Sequence, residues 1–136
     1  MQACYAGDAV FSDPVFTNLN ATQVKAMWEM LIKAGKDLQV EYSNIKATDT
    51  SGSVAWVATY TFSATGRKVK NQISSSFVFD NGKIVQQTDR FSFPAWARQA
   101  LGLPGLLLGW TKGLKKKVQQ RAMGSLVAFM QKNKNA

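Results

Sequence analysis

Three turn signals punctuate the middle of the chain at regular intervals: Thr50-Ser51-Gly52, Thr65-Gly66 and Asp80-Asn81-Gly82. The last constrains the fold most, because Asn-Gly supplies the positive φ values that a type I′ hairpin needs. Between and around these turns lie four runs of strand-like alternation, over residues 38–48, 54–63, 69–79 and 84–93. Three consecutive hairpins make an antiparallel meander. Its strands are long, about eleven residues against a usual five or six. Strands of that length must twist and curl, so one face of the sheet is expected to cup a core or a ligand.

Side chains alternate across a strand, which sorts the residues into two faces. In the second run Val54, Trp56, Ala58, Tyr60 and Phe62 share one side, opposite Ala55, Val57, Thr59 and Thr61. In the third, Asn71, Ile73, Ser75, Phe77 and Phe79 oppose Lys70, Gln72, Ser74 and Ser76; in the fourth, Val85, Gln87, Asp89, Phe91 and Phe93 oppose Ile84, Gln86, Thr88 and Arg90. The aromatic faces are the expected interior. Asn71, Ser75, Gln87 and Asp89 then stand as polar groups on an apolar concave surface. Leaving them unpaired would cost a few kcal/mol each, so they are expected to bond one another, water or a ligand.

A short strand, Ala9-Val10-Phe11, precedes the meander and stops at Asp13-Pro14, since proline favours an extended residue before it and cannot continue a ladder. Asn20 and Gln23 have the spacing of a capping box, and Val24, Met27, Trp28 and Leu31 continue at helical spacing to Gly35, expected at C′. The same Asn20-Ala21-Thr22 is a glycosylation sequon; with no secretion signal, capping is the expected role. Past Phe93, the run from Pro94 to Leu101 reads as a short helix with proline in its first turn. Residues 102–109 read as an apolar linker broken by Gly and Pro. A last helix, from Thr111 to Lys132, puts Leu114, Val118, Ala122, Leu126 and Phe129 on one stripe.

The available chemistry is narrow. The chain has no histidine, which excludes His triads, imidazole bases and His-ligated metals. Cys4 is the single cysteine, so no intrachain disulfide or Cys-cluster metal site can form; it is expected to act as a small buried hydrophobe. No metal and no cofactor is expected. There is no N-terminal signal pattern and no apolar run long enough to span a bilayer, which points to a cytoplasmic protein. The formal charge of +9 is segregated: residues 90–136 hold nine bases and no acid, while the preceding residues balance.

The run from Cys4 to Phe16, CYAGDAVFSDPVF, resembles the first-strand signature of the NTF2-like, SnoaL-like superfamily, which includes ketosteroid isomerase, polyketide cyclases and limonene epoxide hydrolase. Asp80-Asn81-Gly82-Lys83-Ile84-Val85, followed by Asp89 and Phe91, is similar to its final hairpin. The resemblance covers residues 4–93 and implies an α+β fold, a conical, strongly curved sheet wrapped over helices. It also implies a ligand pocket inside the cone and, commonly, a homodimer. Residues 1–93 would form that core and 94–136 a basic helical extension of the same domain. Relatives usually carry a long helix before this first strand, whereas Met1-Gln2-Ala3 reads as part of a second, shorter helix. The C-terminal helix or a partner subunit would then cover the gap.

By the same resemblance, Asp13 falls where ketosteroid isomerase has its general base, and Asp89 on the strand of the cyclases' acid/base aspartate. Trp28 takes the place of a pocket tyrosine, and Ser75 lies near the position of an oxyanion-hole acid. Both oxyanion donors of the isomerase are absent, and the Arg-Asp-Asp set of the epoxide hydrolase is not evident, which argues against either activity as such. The structural alternatives are plain: Asp13 as an acceptor for backbone N–H groups at a strand end, and Asp89 as a buried hydrogen-bonding group. Two function classes follow. One is a pocket protein for a small apolar ligand, with Asp13 and Asp89 as acid/base candidates and Trp28, Trp56, Tyr60, Phe62, Asn71, Ser75, Gln87 and Phe91 as lining. The other is a non-catalytic dimer whose basic C-terminal helix, preceded by Leu106, Leu107, Leu108 and Trp110, docks on an anionic membrane or acidic partner. Nucleic acid is disfavoured, since no RNA-binding or phosphate-binding motif accompanies Lys115-Lys116-Lys117.

Overall fold

The computed structural model describes residues 4–134. In chain order it contains β1 (Tyr5–Ser12), α1 (Ala21–Ala34), β2 (Gln39–Ala47), β3 (Ser51–Phe62), β4 (Arg67–Asp80), β5 (Lys83–Arg90), α2 (Phe93–Leu101), α3 (Leu103–Leu108) and α4 (Lys112–Lys134). The strands form one curved sheet of order β1-β5-β4-β3-β2. The expected meander is present, with β2–β3, β3–β4 and β4–β5 all antiparallel. Asn81 and Gly82 both take positive φ, 51° and 75°, as the hairpin chemistry requires. β1 lies at the sheet edge, parallel to β5, with Phe11 opposite Gln87 and Ser12 opposite Thr88. This pairing brings the first strand, and Asp13 just beyond it, alongside the strand that carries Asp89.

Asn20 caps α1 as expected: its side chain accepts from the Gln23 backbone, and the Gln23 side chain accepts from the Asn20 backbone, both at 2.9 Å. Gly35 ends the helix with φ at −91°, so no left-handed C′ turn is used. The last strand stops at Arg90, short of the expected Phe93. Ser92 accepts a bond from the Ala95 N–H and, with Pro94 in the first turn, starts α2 early. The expected linker is the second correction: residues 103–108 form the short helix α3. Glycine explains it, because a Cβ at Gly105 would sit 1.9 Å from the Ala97 carbonyl oxygen. Without side chains there, α3 lies directly on the backbone of α2. Cys4 is exposed, not buried as expected, because it precedes β1 at the sheet edge. The reading of Met1-Gln2-Ala3 as helix lies outside the described residues.

The core has two centres. Phe11, Leu19, Val24, Met27 and Leu126 meet between β1, α1 and α4, and Val69, Phe93, Trp96, Ala97 and Ala100 meet between β4 and α2. Leu126 is fully buried, and Leu114 and Val118 reach the second centre, so the apolar stripe of α4 bridges both. The Gln119 amide also donates to the Pro14 carbonyl at 2.9 Å. The C-terminal helix therefore packs on both core centres. Among the described residues no helix is long and apolar enough to cross a membrane.

Candidate functional site

The alternation on β4 is cleanly resolved: Val69, Asn71, Ile73 and Ser75 are buried, while Lys68, Lys70, Gln72, Ser74 and Ser76 are exposed. On β5, Gln87 and Asp89 point inward and Gln86 and Arg90 outward. Ser75 stands opposite Asp89 on one side and Val54 on the other. The antiparallel register thus sets a serine, a glutamine and a carboxylate side by side on the inner face.

Two chains of hydrogen bonds converge on one atom of Asp89. On one side, the Trp28 indole N–H donates to the Tyr5 hydroxyl at 2.8 Å, and Tyr5 donates to Gln87 Oε1 at 2.5 Å. Gln87 Nε2 completes that chain by donating to Asp89 Oδ1 at 2.9 Å. On the other side, the Trp56 indole N–H donates to Ser75 Oγ at 2.8 Å, and Ser75 donates to Asp89 Oδ1 at 2.7 Å. Every donor in both chains points toward the carboxylate. Oδ2 accepts no hydrogen bond among the described residues, yet it is not sealed off as a buried unpaired atom. The two indoles pack near each other, ring centroids 6.4 Å apart, over this network.

Asp13 repeats the pattern with backbone donors. Its Oδ1 accepts from the N–H groups of Val15 at 2.7 Å and Phe16 at 2.6 Å, the turn expected of an aspartate before proline. Its Oδ2 likewise has no partner among the described residues. Each aspartate therefore has one oxygen committed to the fold and one uncommitted.

Burial decides the ionisation of both. Loss of solvent raises the Asp13 carboxyl from 3.8 to about 6, against the pull of its two backbone donors and with a further upward push from the Asp89 charge. Burial also raises Asp89, opposed by the donors Ser75 and Gln87. The same interior pushes the Tyr5 hydroxyl to about 12, mainly by burial, with Asp89 adding to it. Tyr60 is raised too, by burial and by the charge of Asp13, while accepting a bond from the Trp96 indole at 2.9 Å. Tyr5, Asp13, Tyr60 and Asp89 thus share one electrostatic environment.

Of the residues singled out in the sequence, Asp89, Ser75, Gln87, Trp28 and Trp56 are joined in one network, and Asp13 lies within its electrostatic reach. Tyr60, Phe62 and Phe91 instead pack against the α2 core centre with Trp96. Asn71 is buried on the inner face, and its side chain bonds no described residue. Tyr5 was not singled out, although it links Trp28 to Gln87. Two shallow surface depressions, of about 270 and 330 Å³, lie along β2–β5 near Asn44, Ala55 and Ser74, the second also lined by Trp56, Ile73 and Arg90, and neither aspartate lines them. Among the described residues no group of three carboxylate or cysteine ligands is arranged to hold a metal ion.

The family model described as a SnoaL-like domain matches residues 1–87. No curated protein matches the chain in sequence. Solved structures match its shape. IdmH of Streptomyces antibioticus, a proposed polyketide cyclase, is 20% identical with a TM-score of 0.60, covering 74% of this chain and 84% of its own. A Catenulispora acidiphila protein with a ketosteroid isomerase-like fold, in complex with trimethylamine, is 15% identical with a TM-score of 0.62, covering 76% and 81%. A proposed SnoaL-like polyketide cyclase from Jannaschia sp. is 13% identical with a TM-score of 0.63, covering 76% of each chain.

Proposed function

The chain belongs to the SnoaL-like domain family and has the NTF2-like α+β fold, and from that premise we propose that it binds a small, largely apolar ligand and transfers a proton on it through Asp89. The observation that carries this reading is the division of labour within the carboxyl group. Ser75 and Gln87 saturate Oδ1, so any proton must reside on Oδ2, the uncommitted oxygen. A carboxylate held in one orientation, raised by burial and uncommitted at one oxygen is the form a general base takes in a dry site.

In this reading, ionised Asp89 Oδ2 removes a proton from carbon beside a ligand carbonyl, and the electron pair moves onto the carbonyl oxygen. Returning the proton to a different carbon isomerises the ligand; alternatively the enolate carbon attacks a second carbonyl and closes a ring, and the alkoxide formed takes the proton back from Asp89. Asp13, protonated below about pH 6, supplies a hydrogen bond to the developing oxyanion from its own Oδ2. Trp28 and Trp56 give the ligand an apolar wall. No cofactor is invoked. The protein acts as a homodimer, for which Tyr42 and Ile45 on β2, 66% and 71% exposed, offer apolar surface outside the site.

The probe is 5-nitrobenzisoxazole, whose ring opens when a carboxylate in an apolar setting removes its C–H proton. Asp89→Asn should lower its turnover by about 100-fold or more, the contribution of a positioned general base. A variant that folds normally by circular dichroism yet keeps the wild-type rate would overturn the assignment. So would a wild-type rate no greater than that of acetate.

A further inference from the structure

We infer that α3 and the first turns of α4 form a docking surface for an anionic lipid bilayer, a role separate from the proton-transfer reading. The shape of the surface is set by glycine. A Cβ at Gly105 would stand 1.9 Å from the Ala97 carbonyl oxygen, and one at Gly109 2.4 Å from the Gly105 oxygen. Gly105 thus lies directly on the α2 backbone, and the absence of a Cβ there lets α3 approach so closely. Leu103, Leu107 and Leu108 are 66%, 59% and 50% exposed.

Trp110 follows at 76% exposure, and its indole N–H donates to the Leu107 carbonyl at 3.0 Å. The polar end of the ring is satisfied internally, which leaves its apolar face outward. Thr111 then ties the junction, donating to the Leu108 carbonyl at 2.6 Å and accepting from the Leu114 N–H at 3.3 Å. The junction between the apolar tip and α4 is therefore tied by its own hydrogen bonds. Lys112, Lys115, Lys116 and Lys117 begin immediately after it, within about 8 Å of helix rise, and Lys112, Lys116 and Lys117 are exposed.

Charge selects the occupant. Residues 90–136 carry nine bases and no acid, so a second copy on the same patch would oppose lysine with lysine. A bilayer answers both halves of the surface at once: leucine and tryptophan enter the interfacial zone, and anionic headgroups meet the lysines. Neither half suffices for firm binding alone, so attachment should be reversible and salt-sensitive.

The test uses the full chain with phosphatidylcholine vesicles, alone or mixed with phosphatidylserine, read by sedimentation and tryptophan emission. The chain should pellet with the phosphatidylserine vesicles, release in high salt and shift its emission to the blue. That shift reports Trp110, because the Trp28, Trp56 and Trp96 indoles are bonded inside the fold. Leu107→Glu with Leu108→Glu should abolish binding. Lys112→Ala, Lys116→Ala and Lys117→Ala should weaken it about fivefold each, the usual effect of a basic residue beside an anionic surface. All five positions are exposed, and circular dichroism checks that each variant folds. Equal binding to pure phosphatidylcholine, or binding unchanged in the double glutamate variant, overturns the inference. It also fails if that variant alters the chain's own sedimentation without affecting vesicles, or if the wild type captures polyaspartate but not vesicles.

Discussion

Replacing Asp13 with asparagine isolates the energetic consequence of a buried carboxyl, because the turn it organises should survive. Asparagine Oδ1 can accept the same N–H bonds from Val15 and Phe16. What disappears is the charge. Burial lifts the Asp13 carboxyl from 3.8 in the unfolded chain to about 6 in the fold. The folded state therefore holds the proton more tightly, and its stability contribution is complete below pH 4. That contribution is lost as the pH rises through about 6, and the curve is flat above it. A rise of about two pH units corresponds to roughly 3 kcal/mol at 1.36 kcal/mol per unit. Asp13 is only half-buried, so screening makes this an upper figure. Urea unfolding of wild type and Asp13→Asn, followed by tryptophan fluorescence from pH 4 to 8, reads the difference directly. The variant should be more stable by about 1–3 kcal/mol above pH 6.5, with the gap closing toward pH 4. In an Asp89→Asn background the gap should shrink, since the Asp89 charge contributes to the rise. A gap independent of pH, or one that widens on acidification, would refute the argument.

Tyr5→Phe removes the link between Trp28 and Gln87, leaving an indole N–H and an amide oxygen without their partner. It should cost about 1–3 kcal/mol in urea unfolding; a neutral result would mean that the chain to Asp89 carries no structural load. Leu126→Ala empties a fully buried position on α4 and should cost about 2–5 kcal/mol within a single transition. A small loss, or a separate early transition, would show that α4 is not part of the cooperative unit.

Local chemistry made most of the fold legible. Asn81-Gly82 dictates its own hairpin, Asn20 and Gln23 dictate a helix start, and period-two alternation identifies Ser75, Gln87 and Asp89 as inward polar groups. The parts that were not legible depend on contacts distant in sequence. Nothing within residues 5–12 specifies that β1 pairs in parallel with β5, so nothing marks Tyr5 as the partner of a glutamine 82 positions away. The helix at residues 103–108 was hidden for a related reason. Leu-Pro-Gly followed by leucines reads as a linker until Ala97 supplies the surface on which Gly105 can lie. Asn71 is buried on the inner face as the alternation predicts. Tyr60, Phe62 and Phe91 share the right face but serve the core around Trp96, because alternation assigns a face and not a position along it.

The charge segregation and the raised carboxyls are two sides of one requirement. A lysine or arginine within a few ångströms of Asp89 or Asp13 would stabilise the ionised form and pull either group down. No basic side chain figures among the groups that shift either one; desolvation dominates both. Keeping them raised therefore demands an inner face without cations, and the strands meet that demand by alternation. Lys68, Lys70 and Arg90 all point outward, opposite Asn71, Ser75 and Asp89. The surplus bases then have to stand elsewhere, and α4 holds most of them, on a helix anchored by Leu126 and Gln119. The proposed proton transfer at Asp89 and the proposed attraction to anionic surfaces at the α3–α4 junction are thus compatible in one small domain, because no base of α4 figures among the groups that shift either carboxyl.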